Sequence, residues 1–170
     1  MPGPWYQYTS EHIMSDSKAS QSDAAVIMAG IPAINNSFYR QIRFSVGDPA
    51  VWIELPQGDR RESILILRDI EMQRAKKGNA RAHRIGCPAD FKPEGGLSGD
   101  RETATAQAAA EFLRRAGVKC VVGDRSLPLI FAHEINKAGI TVECDLDMGV
   151  LDRRSKDAEE IERASCRERV

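Results

Sequence analysis

Two consecutive helix-to-strand units in the second half of the chain constrain its fold more than any other feature. Asp100 is placed to cap a helix over 101–116, in which Ala106, Ala109, Leu113 and Ala116 recur at helical spacing and Gly117 offers a left-handed stop. Cys120-Val121-Val122-Gly123 then reads as a strand. Ser126 offers a second N-cap with Pro128 in the first turn, Leu127, Ile130, Phe131 and Ile135 form the apolar stripe, and Lys137 and Gly139 mark the end. Ile140-Thr141-Val142-Glu143-Cys144 reads as the next strand. Helix, strand, helix, strand at this spacing predicts parallel pairing through right-handed crossovers, since a parallel neighbour needs a connection long enough to return the chain to its starting edge.

The first half supplies the rest of a sheet. Ala24-Ala25-Val26-Ile27-Met28-Ala29 is a short apolar run ended by Gly30 and Pro32, as a buried strand would be. Val51-Trp52-Ile53-Glu54-Leu55 and Ser63-Ile64-Leu65-Ile66-Leu67 flank Pro56-Gln57-Gly58-Asp59 and predict an antiparallel hairpin with a loose loop. The polar stretch 68–79 ends in Lys76-Lys77-Gly78 as a helix does, and 80–100 is irregular, with Pro88, Pro93 and Gly95-Gly96. These elements predict a three-layer α/β domain whose mixed, mainly parallel sheet is flanked by helices.

With 170 residues, 42% of them hydrophobic and 29% charged, the chain has the size and composition of one globular domain plus tails. Its net charge of −1 gives no electrostatic reason to expect nucleic acid or an anionic membrane as partner. No apolar run is long enough to span a bilayer, and the N-terminus lacks a basic segment followed by an apolar one, so a cytoplasmic protein is expected. Cys87, Cys120, Cys144 and Cys166 are widely spaced and expected to be reduced, with Cys120 and Cys144 packed in the core. Residues 1–22, with the cluster Trp5-Tyr6-Gln7-Tyr8, read as an arm. Residues 23–152 form the α/β domain. At 153–170 a helix begins, capped by Ser155, with Asp157, Glu159 and Glu160 in its first turn and Ala158, Ile161 and Ala164 opening an apolar stripe. A short helix is stabilised chiefly by tertiary burial, so it reads as a linker toward further protein.

Several residues invite a chemical reading. His133-Glu134 starts like a zinc-protease helix, but Lys137 stands where the second imidazole would be needed. His83 and Cys87 lie four apart across Gly86, next to Pro88, a loop pattern rather than a helical one. Asp145 and Asp147 are at strand spacing, which would project both carboxylates to one side, yet two carboxylates do not fill a divalent-metal shell and a strand end in solvent is the preferred reading. Gly95-Gly96-Leu97-Ser98-Gly99 would present backbone N–H groups to an anion, but it follows no clear strand and reads as a flexible loop. In Phe38-Tyr39-Arg40-Gln41-Ile42-Arg43-Phe44 two guanidinium groups alternate with aromatics, suited either to holding a carboxylate by bidentate hydrogen bonds or to a salt-bridged surface turn. No nucleophile with its base and no full metal shell emerges, so neither catalytic nor metal-binding residues are assigned to this chain.

The order of elements, together with Asp23-Ala24-Ala25-Val26-Ile27, Gly117-Val118 before a strand, and the closing Arg153-x-x-Lys156-x-x-Glu159-Glu160-Ile161, resembles the amino-terminal domain of the creatinase, prolidase and aminopeptidase P family. The resemblance implies a creatinase-like amino-terminal fold with a ribonuclease H-like motif, followed in the same protein by a metal-bearing domain. That domain would hydrolyse X-Pro bonds or small amidino compounds with two divalent metal ions, such as Mn or Zn, held by two Asp, one His and two Glu. For this chain the resemblance implies a non-catalytic domain that partners its own catalytic domain, helps form a homodimer, and lends Arg40 and Arg43 to the rim of an active site. Many members carry Tyr-Leu-Thr-Gly-Phe where this chain has Arg40-Gln41-Ile42-Arg43-Phe44, so Arg43 replaces a glycine whose torsions an arginine avoids. Two alternatives stand beside this reading: a free-standing α/β module that binds a small ligand or a protein, and a small hydrolase built around Asp145, Asp147 and His133.

Overall fold

The computed structural model describes residues 24–150. The expected arm at 1–22, the helix start at 153–170 and Cys166 lie outside them. Six strands form one sheet: β1 (Ala25–Gly30), β2 (Ala50–Gln57), β3 (Arg60–Ile66), β4 (Arg84–Gly86), β5 (Cys120–Asp124) and β6 (Thr141–Asp145), in the order β4-β3-β2-β1-β5-β6. Only β2 opposes the others. It pairs antiparallel with β1 and β3, while β3–β4, β1–β5 and β5–β6 are parallel. Four helices flank the sheet: α1 (Asn36–Ile42), α2 (Asp69–Lys77), α3 (Arg101–Arg115) and α4 (Leu129–Lys137). The mixed, mainly parallel three-layer α/β fold expected from the sequence is the one observed.

Strand alternation builds two cores from one sheet, because successive side chains on a strand point to opposite faces. Ile27, Val51, Ile53, Ile64 and Ile66 face one side, where the alanines of α3, Leu113, and Phe131 and Ile135 of α4 close over them. Met28, Trp52, Leu65 and Leu67 face the other, against Phe38 and Ile42 of α1 and Ala75 of α2. Each fully buried Ile, Leu or Phe contributes about 1.5–3 kcal/mol of transfer free energy, so neither face is dispensable. Ala106, Ala109 and Ala110 are small enough to bring α3 close to the sheet, and Phe112 stacks edge-on against Phe91 at 5.2 Å between ring centroids.

The helix at 101–116 begins as expected: the Asp100 carboxylate accepts from Thr103 N at 2.8 Å, and Gly117 lies beyond its end at φ +72°. Four local expectations are corrected. The hairpin loop is tight, because β2 continues through Pro56 to Gln57, which pairs with Arg60, and leaves Gly58-Asp59 as a two-residue turn. Gly58 at φ +59° takes the first central position, where a type II′ turn requires positive φ. Pro56 is tolerated because the β1 ladder ends at Val26↔Glu54, before it reaches the proline. Ser126 does not cap α4. The carboxylate of Asp124, buried at the end of β5, takes both the N–H and the hydroxyl of Ser126, and the helix starts later, after Pro128 at φ −63°. Cys144 is exposed rather than packed, since β6 is the edge strand, while Cys120 is half-buried. The segment 80–100 contains β4 and a 3-10 turn over Pro88–Phe91, whose capping Cys87 N donates to Asp90 at 2.9 Å. Among the described residues no helix is long and apolar enough to cross a membrane.

Candidate functional site

The segment carrying Arg40 and Arg43 is a helix, not a surface turn. Asn35 caps it, accepting from Phe38 N at 3.1 Å, and Phe38 and Ile42, one turn apart, anchor it on the sheet. It ends where Arg43 takes the left-handed conformation at φ 52°, donating its N–H to Tyr39 O at 2.7 Å. An arginine thus occupies a backbone conformation that ordinarily favours glycine.

Beside this helix end lies an open groove of about 600 Å³. One wall is Arg40 and Arg43; the floor is Trp52 and Glu54 of β2 with Ser63 of β3; the far wall is Arg81 and His83. Trp52 and Glu54 share a face because they are two apart on one strand, and Ser63 lies directly opposite Glu54. The far wall is held by backbone: Arg81 N donates to Ile42 O at 2.7 Å, satisfying a carbonyl left over at the end of α1. His83 and Ser63 extend the β3–β4 pairing by one rung, with His83 N donating to Ser63 Oγ at 3.2 Å and Ser63 N donating to His83 Nδ1 at 3.0 Å. A backbone N–H only donates, so Nδ1 accepts and the ring carries its proton on Nε2. Glu54 is paired with Arg61, whose guanidinium also donates to Ala24 O at 2.9 Å. Trp52 is 4% exposed, and its Nε1 is buried with no hydrogen-bond partner among the described residues.

The other sequence candidates are not gathered into a site. His133 is exposed on α4, while Asp145 Oδ1 accepts from Asp147 N at 2.9 Å and Met148 N at 3.2 Å, a turn that ends β6 rather than a pair of ligands. In the glycine-rich 95–99 loop two N–H groups are engaged within the chain: Gly96 N donates to Pro93 O at 2.9 Å and Ser98 N to Gln107 Oε1 at 2.8 Å. Near it, Arg114 and then Arg115 hold the carboxyl of Glu111 down to about 2. Burial, and secondarily Glu143, raise the Cys120 thiol and keep it protonated. No group of three His, Cys, Asp or Glu that could hold a metal ion exists among the described residues, so the two-metal chemistry of the family does not fit them.

The loops after β1 and β5 mark a switch point, because α1 leaves toward one core and α4 toward the other. There Asn35 Nδ2 donates to Ser126 Oγ at 2.9 Å and ties the two loops together. Sequence reasoning missed this junction, since its partners are 91 positions apart. It missed Trp52, Arg81 and His83 as neighbours of Arg40 and Arg43 for the same reason, though Ala80 and Ala82 flanking Arg81 in a polar stretch did hint at a docked segment.

Compared with solved structures, the chain has an 18% identical match in a prolidase from Pyrococcus furiosus, at TM-score 0.54, over 83% of this chain and 34% of that one. An Xaa-Pro dipeptidase from Bacillus anthracis matches at 14% identity and TM-score 0.54, over 81% of this chain and 33% of that one. An Xaa-Pro aminopeptidase from Streptococcus pyogenes matches at 15% identity and TM-score 0.52, over 75% of this chain and 82% of that one. The fold is similar to theirs. The chain thus spans about a third of the length of the prolidase and of the dipeptidase. No family model and no curated protein matches the sequence.

Proposed function

We propose that this chain is the non-catalytic amino-terminal domain of an Xaa-Pro dipeptidase- or aminopeptidase-like metallohydrolase, supporting dimerisation and the rim of the active site. The observation that carries the reading is the extent of the structural likeness: most of this chain corresponds to one third of a prolidase, the size of a single domain within it. The Arg153-x-x-Lys156-x-x-Glu159-Glu160-Ile161 junction supports the same reading from the sequence alone. In it, the two divalent ions and the hydrolytic chemistry belong to the remainder of the protein. This chain contributes shape and charge. Arg40 and Arg43 are the rim contacts, close to the end of a helix that Phe38 and Ile42 hold rigidly on the sheet.

Sequencing the gene past codon 170 tests the first half of the reading, and a further stretch of roughly two hundred residues carrying two Asp, one His and two Glu is expected. In the intact enzyme, Arg43→Ala is expected to lower kcat/KM for an Xaa-Pro dipeptide severalfold. An unchanged specificity constant removes Arg43 from the rim.

A further inference from the structure

The rung that joins β3 to the segment leading into β4 is built on an acceptor that a proton can remove. The β3–β4 pairing ends at Ile64↔Arg84, and beyond it the Ser63 N–H meets a side chain in place of a carbonyl, donating to His83 Nδ1 at 3.0 Å. Ser63 Oγ lies 2.9 Å from the same nitrogen and accepts from His83 N at 3.2 Å. Nδ1 has one lone pair, so it accepts only while the ring is neutral. The two partners differ in exposure. His83 is exposed, so solvent protons reach its ring, whereas Ser63 is 5% exposed and water is a poor substitute for the bond it loses.

We infer that His83 is a proton-operated latch on the wall of the groove beside α1: neutral, it holds the segment 80–83 to β3, and protonated, it lets go. The proton comes from solvent and fills the Nδ1 lone pair, the Ser63 N–H···Nδ1 bond breaks, and the ring then faces the Ser63 N–H with a second donor. The charges around it favour departure. Arg40 and Arg43 of α1 and Arg81 share the groove with the ring, and Glu54 of β2 is engaged by Arg61. Glu62 precedes Ser63, Arg84 follows His83, and α2 ends in Lys76 and Lys77. A new positive charge among mostly positive neighbours is repelled toward solvent. The stretch is also lightly held: β4 is a three-residue edge strand, and Ala80 N and Arg81 N tie the segment to Ala75 O and Ile42 O. Acid therefore loosens the wall that carries Arg81, a behaviour that belongs to the chain whether or not it serves a peptidase.

The test follows the full ¹⁵N-labelled chain by NMR from about pH 8 to about pH 5 at constant ionic strength, the range across which an imidazole titrates. The ring nitrogen shifts of His83, assigned by their absence from His83→Asn, report its tautomer and titration, and the Ser63 amide reports the rung. The neutral ring is expected to carry its proton on Nε2. As it titrates, the exchange protection of the Ser63 amide, measured against the intrinsic rate at each pH, is expected to fall at least about tenfold in step with the ring. Leu67 N, bonded to Gly86 O at the other end of the pairing, is expected to stay protected. His83→Asn puts a carbonyl that does not titrate near the place of Nδ1, and is expected to make Ser63 protection independent of pH over this range. Ser63 protection that survives the titration overturns the latch, as does a neutral ring protonated on Nδ1; both are read from the unsubstituted chain. A parallel loss at Leu67, or a pH dependence that persists in His83→Asn, overturns it as well.

Discussion

Arg43 holds a backbone conformation that costs an L-residue about 1–2 kcal/mol, because its Cβ crowds the neighbouring carbonyl. Comparing Arg43→Gly with Arg43→Ala isolates that cost, since both remove the guanidinium and only glycine is relaxed at φ 52°. The glycine variant is expected to be more stable than the alanine variant by about 1 kcal/mol in urea unfolding. Equal stabilities would mean the strain is absorbed elsewhere. Glu111 gives a pH signature. Its carboxyl titrates at about 2 in the folded chain against an ordinary 4.5, so it stabilises the fold fully above 4.5 and loses that contribution as pH falls toward 2. The partner arginines are half-exposed, which holds the contribution to about 1 kcal/mol. Glu111→Gln is expected to flatten the acid side of the stability profile while leaving Arg114 and Arg115 in place.

At the scale of the element, α1 is seven residues long and too short to persist without its cap and its buried face. Asn35 serves two elements, capping α1 and bonding Ser126 in the loop after β5. Asn35→Ala is expected to cost about 1 kcal/mol as a cap. A double-mutant cycle with Ser126→Ala is expected to give a nonzero coupling; strict additivity would deny that the Asn35–Ser126 bond holds the loops together. Helices were the elements most legible in the sequence. Asp100, Gly117 and the alanine stripe of α3 are signals a few residues apart, and the structure honours each of them. Ser126 was misread because a capping residue competes for partners, and the Asp124 carboxylate two residues earlier takes it. In the Arg40–Arg43 segment aromatic and basic residues alternate in a pattern that suits several local structures, and the sheet beneath it selects the helix.

At the scale of the whole molecule, one sheet serves two cores that share no side chain. Ile42→Val on one face and Ile135→Val on the other are each expected to cost about 1 kcal/mol. Their effects are expected to sum within about 0.5 kcal/mol in a single unfolding transition, because the two side chains lie in different cores. Separate transitions for the two faces would show that the sheet does not unite them. The apolar runs of β1, β2 and β3, the capped helix α3 and the βα order were determined by the sequence itself, through interactions between residues a few positions apart. Only the tertiary structure decided that Val26 lies beside Val122, that Asn35 meets Ser126, and that Arg81 and His83 complete a groove with Arg43 and Trp52. Those neighbours come from distant parts of the chain, and strand pairing, burial and hydrogen bonding select them; no local periodicity encodes them.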